Sequence, residues 1–245
     1  GRRDPGVAVP QILERRRVIR RMDYDAVIFD NDGVLVEPAS LDLLTEAARE
    51  AFAAVGVDDP TEADVEAVSY GVTPDVLEAV CETYGLDAED FWAARDRTAS
   101  EAQIDLLRRG GKARYDDVDA LDALRGPLGI VSTNQQATID AILRHRDLGP
   151  LFRTAYGREP TVESLRRKKP APHYLRRALS DLDAETALFV GDSETDVLAA
   201  SRAGVDSALL RRPHVADTAL DATPTYELGS LWELHDLPGV TLREN

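Results

Sequence analysis

FDNDGVLVEP, residues 29 to 38, sets two aspartates two positions apart directly after an apolar run and follows them with glycine. The run Ala26-Val27-Ile28-Phe29 has the length and the unbroken hydrophobicity of a strand buried on both faces. Two carboxylates at its end therefore emerge from a sheet rather than hide inside it. Three further runs have the same character: Leu128-Gly129-Ile130-Val131, Ala187-Leu188-Phe189-Val190 and Ser207-Ala208-Leu209-Leu210, with Phe152 to Tyr156 as a weaker fifth. Helical connections over Gln136 to Arg146, Pro172 to Leu179 and Thr195 to Ala203 separate them. Short buried strands alternating with helices predict an α/β fold, a Rossmann-like parallel sheet with right-handed crossovers.

Between Pro38 and Lys112 that rhythm stops, and a series of capped helices takes its place. Ser40 caps a helix with apolar positions at Leu43, Leu44, Ala47, Ala48, Ala51, Phe52 and Val55; Thr61 with Asp64 begins another. Thr73-Pro74 opens a third that stops at Gly85, and Asp87 with Asp90 starts a longer one running to Gly110-Gly111. The pattern predicts a helical cap over residues 38–112 inserted into a core of residues 22–37 and 113–245.

Hydrophobic residues make up 43% of the 245, enough for one large core, and no apolar stretch approaches the ~20 residues of a membrane span. The single cysteine, Cys81, excludes an internal disulfide framework and points to a reducing, cytoplasmic setting; its apolar helix face predicts core packing. Net charge is −16, and only Lys112, Lys168 and Lys169 are lysines. Such a surface disfavours nucleic acid and membrane partners and is suited to concentrated salt, which predicts a halophilic source, with an ordinary acidic cytosolic protein as the alternative. The oligomeric state is left open. Residues 1–21 run against this trend with seven arginines against Asp4 and Glu14. That basic arm precedes Met22, the one methionine, where natural translation is expected to start; an arm that touches a membrane or nucleic acid is the other reading, and no secretory apolar stretch follows its arginines.

In parallel sheets ligands bind outside the carboxyl ends of the strands. Asp30, Asp32, Ser132, Asp192 and Asp196 all follow apolar runs and so are expected to converge. At ~4 Å and an effective dielectric of ~20, each pair of like charges in such a nest costs about 4 kcal/mol. A cation relieves that cost, and hard oxygen ligands that leave room for water and phosphate suit Mg²⁺. A carboxylate beside a metal-held phosphate is a setting for phosphoryl transfer through an aspartyl phosphate.

FDNDGVL resembles the first motif of the haloacid dehalogenase superfamily in its Asp-x-Asp phosphatase branch. LGIVSTN, KKPAP and VGDSETDVLAASRAG resemble the second, third and fourth, in order, over Asp25 to Leu234. The helical insert lies where a capped subclass, including phosphoglycolate phosphatases and β-phosphoglucomutases, carries its cap. The resemblance implies a Mg²⁺-dependent phosphatase acting on a small phosphorylated metabolite, with a phosphomutase as the alternative enzyme and a non-catalytic phospholigand-binding protein as the third reading. It implies that Asp30 attacks phosphorus and that Asp32 protonates the leaving oxygen, then activates water. It assigns the metal to the Asp30 side chain, the Asp32 carbonyl and Asp192, with Asp196 holding the ion or its waters. Ser132, with Thr133 as rival, donates to the phosphate beside backbone N–H groups around Thr133 and Asn134; Lys169, rather than Lys168, neutralises charge. Gly33 suits the sharp exit from the strand, where a side chain would obstruct the turn or the substrate, and is counted with Thr133 and Asn134 among the substrate-binding residues. Cap movement is implied, with hinges near Glu37–Ser40 and Gly110–Arg114. Ser69 to Thr73 is the expected substrate-choosing loop. The four histidines are expected at surfaces or in packing; Arg95, Arg97, Arg108, Arg109, Lys112 and Arg114 are expected on ordinary solvated helix faces, with one of them reaching a substrate carboxylate or sugar as the alternative.

Overall fold

β1 (Ala26–Phe29) lies at the centre of a six-stranded sheet in a computed structural model that describes residues 23–216 and 218–244. The basic arm of residues 1–21 and Met22 lie outside the described residues. The other strands are β2 (Leu128–Gln135), β3 (Thr154–Arg158), β4 (Ala187–Gly191), β5 (Asp206–Leu210) and β6 (Tyr226–Leu228). Their order is β3-β2-β1-β4-β5-β6, and every neighbouring pair is parallel. The chain thus builds outward from β1 on one side, then returns to build on the other. The reversal opens a crevice between β1 and its neighbours at their carboxyl ends, where a ligand site is expected.

Alternation along β1 explains why it is apolar throughout. Val27 and Phe29 join one buried cluster with Ile139 and Ile142 of α5 (Gln136–His145). Ala26 and Ile28 join another with Tyr174, Leu175 and Ala178 of α7 (His173–Leu182) and Ala199 and Ala200 of α8 (Glu194–Ala203). Helices cover both faces, so both sets of side chains leave water. Each fully buried Phe or Ile contributes roughly 1.5–3 kcal/mol.

α1 (Leu41–Ala54), α2 (Glu62–Ala67), α3 (Pro74–Tyr84) and α4 (Ala88–Arg108) stand between β1 and β2. Their caps are those the sequence predicts: Ser40, Thr61, Thr73 and Asp87 accept from backbone N–H groups of the first turn, and Gly85 closes α3 at φ +66°. These helices enclose a hydrophobic cluster of their own, where the Phe52 ring lies 4.7 Å from Phe91, and Cys81 is buried in it as expected. Where the chain leaves for these helices and where it returns, it runs side by side: Glu37 N–H donates to Ala113 O at 2.9 Å.

Three features differ from the sequence reading. β2 continues past Val131 to Gln135, with a register shift against β3. A short helix, α6 (Val162–Arg167), precedes the KKPAP segment and sends Leu165 into the hydrophobic cluster of α1–α4. β6 closes the far edge of the sheet. Among the described residues, no helix is long and apolar enough to cross a membrane.

Candidate active site

Asp30 is the first residue beyond β1, and its N–H still bonds to Val190 O at 2.8 Å, so the sheet fixes the backbone that presents its side chain. The chain then turns sharply. Asn31 O accepts from the N–H groups of Val34, Leu35 and Val36, and Gly33 sits at φ +78°, a conformation that favours glycine. Gly33 N–H donates to Val36 O at 2.8 Å, which holds the turn.

One carboxylate oxygen from each of Asp30, Asp192 and Asp196 lies within 4.8 Å of the other two. Lys169 Nζ joins this group, 2.9 Å from Asp30 Oδ2 and 2.5 Å from Asp196 Oδ1. Lys169, not Lys168, is therefore the lysine at the acidic nest. Asp30 Oδ1 accepts from the Asn31 N–H at 2.7 Å. Asp196 Oδ2 accepts from Ser193 N–H at 3.0 Å and Ser193 Oγ–H at 2.5 Å, a capping box at the start of α8. The approach of Asp196 to β4 explains Gly191: a Cβ there would lie 2.3 Å from the Asp196 Cβ and Cγ.

The electrostatics of the nest follow from its burial. Asp30 is pushed up to about 8, by desolvation first, with Asp196 and Asp192 adding to the rise and Lys169 opposing it. Asp192 is pushed up to about 7 by burial and by Asp196. Burial works against the Lys169 ammonium, but Asp196 and Asp30 outweigh it and hold its proton more tightly than water would. Three carboxylates against one ammonium leave an excess of two negative charges when all are ionised. That excess and an all-oxygen donor set fit a divalent hard cation, and Mg²⁺ fits best where phosphate and water complete the shell.

Asp32 lies apart from the acidic trio. Its Oδ1 pairs with the Lys112 ammonium, and its Oδ2 accepts from Asn134 Nδ2 at 2.8 Å. Ser132 is buried within β2 and its Oγ accepts from the Asn134 N–H at 3.2 Å; Ser132, Thr133 and Asn134 all line the cleft. The cleft has a volume of about 530 Å³, with Asp30, Asp32, Lys169 and Asp192 on the sheet side and Ser69 to Thr73 on the helical side. Tyr70 is 72% exposed at its rim.

Sequence reasoning assigned Lys112 and Arg95 to ordinary surfaces, and the structure corrects both. Lys112 lies past Gly110-Gly111 at φ +51°, beyond the helix, and turns its side chain inward to Asp32. Arg95 is buried, with Nε donating to Val68 O at 2.8 Å and Nη1 lying 3.5 Å from Asp96. Arg158 went unnoticed altogether. It ends β3 and holds Asp96 of α4 through both Nη atoms, at 2.7 and 3.0 Å. One signal was available: all three lysines of this arginine-rich chain end at the cleft or against it.

A family model described as haloacid dehalogenase-like hydrolase matches residues 24–204. A phosphoglycolate phosphatase from Rhodospirillum rubrum is 34% identical over 195 residues, covering 74% of this chain and 76% of that protein. The pyrophosphatase PpaX of Anoxybacillus flavithermus is 28% identical over 231 residues, covering 91% of this chain and all of that protein. Among solved structures, CbbY from Rhodobacter sphaeroides in complex with phosphate superposes with a TM-score of 0.66 at 23% identity, covering 89% of this chain and 99% of that one. The shared sheet, the match across most of the chain and the ordered motifs lead to one assignment: this chain belongs to the haloacid dehalogenase-like hydrolases.

Proposed function

We propose that the protein is a Mg²⁺-dependent phosphatase that hydrolyses a small phosphorylated metabolite through a phosphoryl group carried on Asp30. The observation that carries this reading is the buried assembly of Asp30, Asp192, Asp196 and Lys169 at the carboxyl ends of β1 and β4. Asp30, Asp192 and Asp196 would hold the ion, which when bound supplies positive charge to offset the carboxylates and the phosphate oxygens.

Asp30 is positioned to attack: its two oxygens are oriented by Asn31 N–H and Lys169, and its burial excludes competing water. A bond forms from an Asp30 oxygen to phosphorus while the bond from phosphorus to the substrate oxygen breaks. Asp32 delivers a proton to that departing oxygen, then accepts one from the water that attacks the phosphoaspartate and frees inorganic phosphate. Lys112 and Asn134 fix the Asp32 carboxylate from both sides. Lys169 and the Ser132 hydroxyl supply charge and a hydrogen bond where negative charge gathers on the phosphoryl oxygens. Residues 38–112 act as a cap in this reading, with Ser69 to Thr73 facing the substrate. The acidic surface belongs with a salt-rich cytoplasm.

Incubation with an aryl phosphate tests the reaction class: release of phosphate with Mg²⁺ and none after chelation is expected. A panel of sugar phosphates and phosphocarboxylates then ranks substrates. Tight binding without turnover on any of them would leave the phospholigand-binding reading in its place.

A further inference from the structure

The cleft is electrically bipolar. Elsewhere in its lining, Lys168, Arg95 and Arg158 stand with one nearby carboxylate, Asp96; three cations minus one anion leaves two positive charges in excess. The two guanidinium groups are already committed. Arg158 uses its Nε on Thr133 O and both Nη atoms on Asp96, while Arg95 donates to the carbonyls of Val68 and Ser69. Both lie over the Trp92 ring, 5.1 and 5.0 Å from its centroid.

Two donors in this part of the cleft remain open. The Lys168 ammonium has three N–H groups and donates one to Val72 O, at 2.5 Å. Trp92 is 1% exposed and lines the cleft, and among the described residues its buried indole N–H has no hydrogen-bond partner. A buried donor left unmatched is costly unless a ligand completes it. Burial, with Arg158 and Arg95 nearby, also pulls Lys168 down to about 8, the response of an ammonium with too little negative charge around it.

We propose that this part of the cleft is a subsite for a second anionic group on the substrate, a carboxylate or a second phosphate, received by the Lys168 ammonium and the Trp92 indole N–H in the field of Arg95 and Arg158. The inference deepens the phosphatase reading and rests on it: the scissile phosphate meets Asp30, and the distal anion meets Lys168. The preferred substrate is then a compact molecule with negative charge at both ends, short enough for a cleft of about 530 Å³.

The test compares substrates of similar size and different tails: 2-phosphoglycolate, ethylene glycol bisphosphate and ethyl phosphate. The wild-type protein is expected to favour one of the two anionic tails over ethyl phosphate by at least ~10-fold in kcat/KM, and the favoured tail identifies carboxylate or phosphate as the ligand. Lys168→Met is expected to cut that ratio by ~10-fold or more, Lys168→Arg to keep most of it, and Trp92→Phe to lower it by ~3-fold. The same ratios are read as dissociation constants on Asp30→Asn, where no turnover is needed. An anionic preference below twofold in the wild type, or a ratio unmoved by Lys168→Met, overturns the subsite while leaving the phosphatase reading intact. Absence of turnover with the binding ratios as stated sinks the phosphatase reading and keeps the subsite.

Discussion

Gly191→Ala adds one methyl group to β4 and should disable the site. The backbone at Gly191 lies in a region open to any residue, so the effect is purely steric. The new Cβ would lie 2.3 Å from the Asp196 Cβ and Cγ and 2.5 Å from Oδ2. Carbon atoms pack at ~3.5–4.0 Å, so the two groups must separate by more than ~1 Å. Asp196 is held by Lys169 at 2.5 Å and by Ser193 at 2.5 and 3.0 Å, and a shift of that size breaks these bonds. Losing three hydrogen bonds to a carboxylate, at ~1.5 kcal/mol or more each, costs roughly 4–5 kcal/mol of stability. A misplacement of ~1 Å at a catalytic centre costs about 100-fold in rate. The assay is kcat/KM on an aryl phosphate across a Mg²⁺ titration, beside a thermal melt. A fall of about 100-fold with weaker Mg²⁺ half-saturation is expected. Activity within threefold of wild type at unchanged half-saturation would refute the claim that Asp196 must approach β4 this closely.

Other predictions follow from the charges. Asp30 and Asp192 sit near 8 and 7 in the fold against an ordinary 3.8, so the folded chain binds more protons than the unfolded one between those values. Stability in the presence of a chelator should therefore fall as pH rises from about 5 to about 8.5, and Mg²⁺ should flatten that slope; a chelated protein that melts higher at the upper pH contradicts the buried nest. Asp96→Asn leaves Arg158 buried without its carboxylate and should cost ~3–5 kcal/mol in a denaturant titration, whereas a loss below ~1 kcal/mol would mean the pair is not desolvated. With a net charge of −16, the melting temperature should climb between dilute buffer and molar KCl as screening suppresses self-repulsion; an unchanged melt would remove the salt-loving reading of the surface.

Much of the fold was legible because its signals are local. β1 has the bounds its apolar run implies, and the caps at Ser40, Thr61, Thr73 and Asp87 need only a side chain and the next turn of backbone. The convergence of Asp30 with Asp192 follows from parallel strands whose ends share one edge. β6 was hidden because its three residues, Tyr226–Leu228 directly after Thr223, Pro224 and Thr225, are too few to carry a period. α6 was hidden because Val162 and Leu165 are its whole apolar face, and they pack against helices far back in the chain. The pairs Lys112–Asp32 and Arg158–Asp96 join residues 80 and 62 positions apart. Nothing in the spacing of a charged residue announces such a partner, and Lys112 looks like a helix-surface lysine until the two glycines before it redirect the chain.

The central claim is that Asp30 carries the phosphoryl group between substrate and water. Acid quenching during turnover, followed by peptide mass spectrometry, tests it directly. The account predicts one added phosphoryl group on the peptide containing Asp30, lost when product release is complete and absent from Asp30→Asn, which should also be inactive. Steady phosphate release with that peptide unmodified at every quench time, or full turnover by Asp30→Asn, would contradict it.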